Sequence, residues 1–134
     1  PGTGAADETG AGAGAGATLN VPVPVGTSAS AYHERFEAAL ADVFGRFAPD
    51  FVLVSAGYDA LAGDPLGGLS LDPADFFHLT RVLLHRAATT GISRLVACLE
   101  GGYDPRATGL ATVATLRALA GVDQADPTLP VERV

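Results

Sequence analysis

One carboxylate and one phenol stand out for their settings. Asp64 lies in AGYDALAGDPLGG (residues 56–68), between Gly63 and Pro65, with Gly67 and Gly68 close behind. Proline restricts the residue before it to extended backbone, which fixes Asp64, and the glycines let neighbouring chain or a ligand come near. A carboxylate held so rigidly suits a metal ligand. Asp-Pro is equally a common way of starting a turn, and on spacing alone the turn is the commoner reading. Tyr103 follows Gly101 and Gly102 in LEGGYDP (residues 99–105). Its hydroxyl could donate a hydrogen bond to an oxyanion forming in a cavity beside it. A ring packed over a sheet edge with its hydroxyl in water is the plainer alternative.

Other chemistries lack a carrier. His33, His78 and His85 fall in expected helices, away from the two glycine-rich loops, and none stands in an H-E-x-x-H spacing. Packed or solvated helix histidines are the expectation. No serine lies in G-x-S-x-G. Cys98 sits inside the apolar run RLVACLE, where buried packing is expected rather than a reactive thiol. The run GAGAGAG (residues 10–16) does not give G-x-G-x-x-G and precedes an extended stretch instead of following one, so it is not read as a phosphate cradle.

The elements that must position Asp64 and Tyr103 follow from periodicity. Residues 4–17 are small and form either a flexible or a close-packed loop. TLNVPVPV (18–25) alternates enough for a short edge strand. Tyr32, Phe36, Leu40, Val43, Phe44 and Phe47 recur at helical spacing over residues 28–48, and Pro49 ends the pattern. FVLVS (51–55) reads as a strand covered on both faces. A second helix follows, with Asp72 as N-cap, Pro73 in the first turn, Asp75 at the positive end and Gly91 after the last turn. RLVACLE (94–100) is the next strand, and residues 105–121 form a third helix before a loosely ordered tail. Such alternation predicts an α/β fold, a parallel sheet with helices on both faces. In open parallel sheets ligands bind beyond the carboxyl ends of the strands. Both polar loops leave such ends, so they belong on one edge of the sheet.

The whole chain bounds the reading further. Its 134 residues suit one domain, and 48% hydrophobic against 17% charged residues is enough to build a core. A formal net charge of −7 disfavours direct nucleic-acid binding and docking onto anionic lipid. No apolar run approaches the roughly 20 residues that span a bilayer. One cysteine excludes an intrachain disulfide and fits a reducing cytoplasm.

PGTGAADETGAGAGAG, NVPV, SAGYDALAGDPLGGLSL and LEGGYDP, in that order, resemble the carboxyl-terminal half of the histone deacetylase superfamily. Their wording is closer to class II-like members and to the bacterial acetylpolyamine amidohydrolases and acetoin-utilisation-type proteins. The resemblance runs from about Pro1 to Gly121 and leaves 122–134 as a tail. It implies an arginase-like α/β fold and a zinc-dependent hydrolase that removes acetyl groups from acetyl-lysine or acetylpolyamine-type amines. By motif, Asp64 is implied to ligate Zn2+ and Tyr103 to polarise the substrate carbonyl. Gly101 and Gly102 are implied to line the pocket, Leu71 its apolar channel wall, and Pro1 the loop at the channel mouth. A catalytic zinc takes three protein ligands. The family's Asp-x-His pair and paired histidines precede PGTG, so the chain is expected to be the second half of a catalytic domain, inactive without its N-terminal half.

Two rivals share the fold. Arginase-type enzymes carry D-x-D-x-x-D-P at this strand end, whereas Asp59 and Asp64 stand five apart with no aspartate between them. A non-catalytic scaffold or acyl-binding module would have lost the chemistry, and the presence of both Asp64 and Tyr103 weighs against it. Within the opening loop, Asp59 is expected to structure the loop and Tyr58 to pack.

Overall fold

The computed structural model describes residues 2–122; Pro1 and nearly all of the expected tail lie outside the described residues. The order is α1 (Ala29–Arg46), β1 (Val52–Ala56), α2 (Pro73–Thr89), β2 (Leu95–Leu99) and α3 (Pro105–Leu119), preceded by one short 3-10 turn at Gly12–Gly14. β1 and β2 pair in parallel with Val52 opposite Leu95 and Ala56 opposite Leu99, joined through α2. This is the expected α/β arrangement, present as part of a larger one.

Local chemistry explains the helix borders. The Ser28 hydroxyl accepts from the Ala31 N–H at 3.3 Å and starts α1. Asp72 accepts from the Ala74 and Asp75 N–H groups, while Asp75 accepts from the Asp72 N–H, a complete capping box with Pro73 just inside it. At the other end Gly91 takes φ +81°. There the Ile92 N–H reaches the Ala87 carbonyl at 2.9 Å, the reversal that glycine permits and a β-carbon opposes. Asp104 caps α3 in the same way as Asp72 caps α2, accepting from Arg106 and Ala107.

The expected strand over 18–25 does not form. Pro22 and Pro24 offer no N–H to a ladder, and no neighbouring strand lies beside the segment among the described residues. Instead Val21 and Val23 run across α1 beside Tyr32 and Phe36. The small-residue stretch before it is closed by its own polar groups. Glu8 accepts from the Gly4 and Ala5 N–H groups, and the Asn20 amide donates to the Ala5 and Glu8 carbonyls at 2.9 and 3.0 Å.

The three helices share one cavity with the face of the sheet that carries Val54 and Ala97, lined also by Phe36, Phe76, Leu79 and Leu83. The opposite face of the sheet is open, with Leu53 68% exposed and Val96 half-exposed. Cys98 is exposed on that face, which corrects the expectation of a buried thiol. The strand is apolar on both sides, but among the described residues only one side is covered. α1 is tied to α2 by side chains: His33 Nε2 lies 2.9 Å from Asp75 Oδ1, and the His33 and His78 rings stack at 4.6 Å.

Candidate active site at the sheet edge

The two polar loops do leave the same edge. Beyond the β1–β2 ladder the Glu100 N–H donates to the Ala56 carbonyl at 3.0 Å, and the Tyr58 N–H donates to the Gly101 carbonyl at 2.8 Å. These bonds continue the parallel pairing into the loops and hold them side by side. Tyr58, 3% exposed, packs with Leu61 and Ala111 and meets the Phe76 ring at 5.0 Å, so its expected packing role is met.

Asp64 sits where the loops meet, with 7% of its surface exposed. Its Oδ1 accepts from the Leu66 and Gly67 N–H groups, each at 2.9 Å, and its Oδ2 accepts from the Tyr103 N–H at 2.7 Å. Turn initiator and inter-loop anchor are therefore the same carboxylate. Burial works to raise its pKa. The backbone N–H groups of Tyr103, Leu66, Gly67 and Asp104 outweigh burial and hold the carboxyl below the usual carboxylate range. Asp64 is thus ionised, fixed and ready to accept, as a metal ligand must be.

Tyr103 is bound through its backbone and is 52% exposed at the same edge. Asp64 and Tyr103, 39 residues apart, are brought together by one hydrogen bond. Gly101 and Gly102 are half-buried beside them. A β-carbon on Gly102 would stand 2.6 Å from Thr108 Oγ1, and Gly102 has φ +128°, so the turn into Tyr103 excludes a side chain. Leu71 is 1% exposed and bridges to Leu61, so within this chain it is a core residue rather than an exposed wall. Pro1 lies outside the described residues.

Two contributions were not anticipated from the sequence. Asp104 caps α3 directly after Tyr103, and its N–H acts on Asp64. The signal was present as Asp-Pro at a helix start. Among the described residues no group of three or more His, Cys, Asp or Glu side chains could hold a metal ion. Asp64 offers a carboxylate that suits a metal ligand, and among the described residues no further ligands join it.

One edge of the parallel sheet thus carries a buried, ionised aspartate bonded to the backbone of a tyrosine that follows two glycines. Residues 1–119 match the histone deacetylase domain model, and the chain belongs to that family. It is 46% identical to the "Probable deacetylase" of Methanothermobacter thermautotrophicus over 121 residues, covering 90% of this chain and 35% of that protein. Against "Histone deacetylase 15" of Arabidopsis thaliana the identity is 36% over 122 residues, 90% of this chain and 21% of that one. The solved structure titled "Crystal Structure of HDA15 HD domain" superposes with a TM-score of 0.82 at 36% identity, covering 91% of this chain and 33% of that one. The histone deacetylase Clr3 gives 0.79 at 35% identity, over 90% and 20% respectively. The chain therefore spans roughly a fifth to a third of the length of these four matched chains.

Proposed function

We propose that this chain supplies one side of the active site of a zinc-dependent amidohydrolase that removes acetyl groups from acetyl-lysine or acetylpolyamine-type amines. The single observation that carries the reading is the 2.7 Å bond from the Tyr103 N–H to Asp64 Oδ2. It ties the carboxylate read as the metal ligand to the backbone of the tyrosine read as the oxyanion donor. Zinc, when bound, polarises the amide carbonyl and lowers the pKa of bound water.

Asp64 would hold the metal together with ligands from outside the described residues. The Tyr103 hydroxyl, free to swing into the site because its backbone is the anchored part, would donate to the carbonyl oxygen as negative charge develops there. Gly101 and Gly102 would keep the pocket clear beside it. The 134 residues alone would not hydrolyse substrate, since a catalytic zinc takes three protein ligands. A cytoplasmic location fits the single cysteine, and the net charge of −7 favours substrates other than nucleic acid or lipid surfaces.

Elemental analysis of the purified full-length protein tests this. One zinc per polypeptide is expected in the wild type and a large loss in Asp64→Ala. Equal zinc in both proteins would remove Asp64 from the ligand set.

A further inference from the structure

Asp59 packs closely against glycines of both loops. A β-carbon on Gly101 would stand 2.8 Å from Asp59 Cγ and Oδ2. One on Gly57 would stand 3.0 Å from Asp59 Oδ1, and one on Gly67 would stand 1.7 Å from the Asp59 carbonyl oxygen. Separations under about 3 Å cannot be accommodated without movement. Gly57 and Gly101 are therefore the shape complement of the Asp59 carboxylate, and Gly67 that of its backbone carbonyl, so Asp59 stands between Gly67 of one loop and Gly101 of the other. Gly67 donates to Asp64 itself, and Gly101 is two residues from Tyr103.

We infer that Asp59 is a positioning residue: its backbone abuts Gly67 beside Asp64 and its side chain holds off Gly101 before Tyr103, and this spacing sets the geometry of the bond between the two loops. Its importance for turnover rests on the function proposed above; its role as spacer does not. The carboxylate acts through its shape. Removing it lets the loops slacken toward each other, while a methyl on Gly101 forces them apart. Either change displaces the Tyr103 N–H from Asp64 Oδ2. Asparagine, which keeps the branched planar group, fills the same gap.

The test uses full-length protein labelled with ¹⁵N-tyrosine, in which the Tyr103 amide is the signal lost in Tyr103→Phe. A short bond to a carboxylate places that proton downfield. Asp59→Ala and Gly101→Ala are each expected to move it upfield, and Asp59→Asn to leave it in place. Neighbouring sites couple non-additively. The double variant Asp59→Ala/Gly101→Ala should therefore return toward the wild-type position as the new methyl takes the vacated space. In turnover, Asp59→Ala should lower kcat by up to about 10²-fold, the scale of an ångström misplacement, with KM little changed.

An unmoved amide in both single variants overturns the spacer, and so does an Asp59→Asn protein that behaves like Asp59→Ala. If Asp59→Ala fails to fold, Gly101→Ala and Asp59→Asn decide the matter by the same signal. Absence of acetyl hydrolysis in the wild type would sink the proposed function and leave the amide result standing.

Discussion

At the residue scale, Asp64 does two things with one carboxylate. Its oxygens satisfy three backbone donors and, by the same contacts, stay ionised where burial would otherwise favour the acid. Because the folded pKa is depressed, the stabilisation it gives the loops is complete above the ordinary carboxylate value of about 4. It is lost as pH falls through the lower folded value. Acid titration of metal-free full-length protein should therefore show the wild type more stable than Asp64→Asn at neutral pH, with the difference closing below pH ~4. A difference that grows on acidification would contradict the sign. Tyr103→Phe separates the other half of the pair. The Asp64 bond uses the Tyr103 backbone, so the variant should keep its fold and zinc while acetyl hydrolysis falls by roughly 10²–10³, the cost of one oxyanion donor.

At the scale of elements, the parts legible in the sequence are those whose information is local. α2 was readable to the residue at its start because Asp72, Pro73 and Asp75 each act within one turn. The shared edge of the two loops was readable because a parallel crossover leaves no other place for them. Where formation depends on a partner, the sequence was silent. Residues 18–25 have a strand-like pattern but no strand beside them, and Leu71 turned inward to bridge Leu61. Asp59 was legible only as a loop carboxylate, since its contact with Gly101 crosses 42 positions. The caps make a direct prediction. Asp72→Ala removes two hydrogen bonds at the head of α2 and should cost about 1 kcal/mol, read as a lowered urea midpoint at constant m.

At the scale of the whole molecule, the open face of the sheet is the main consequence of a chain that spans part of a domain. Leu53 and Val96 are exposed on it, and an uncovered apolar sheet face is a surface that favours association. The 134 residues purified alone are expected to self-associate and bind a hydrophobic dye, and Leu53→Lys with Val96→Lys to reduce both. A dye-silent monomer by sedimentation would contradict this. Cys98, on the same face, looks buried in the sequence because its neighbours are apolar, and it is exposed because that face is uncovered among the described residues. The most direct test of the central claim is the initial rate of acetate release from an acetyl-lysine peptide by zinc-loaded full-length protein, wild type against Asp64→Ala. Turnover is expected in the wild type and a loss of at least about 10²-fold in the variant, beyond the roughly 10–100-fold that losing only a supporting partner of a metal ligand costs. Equal rates in the two proteins, or no release by the wild type, would contradict it.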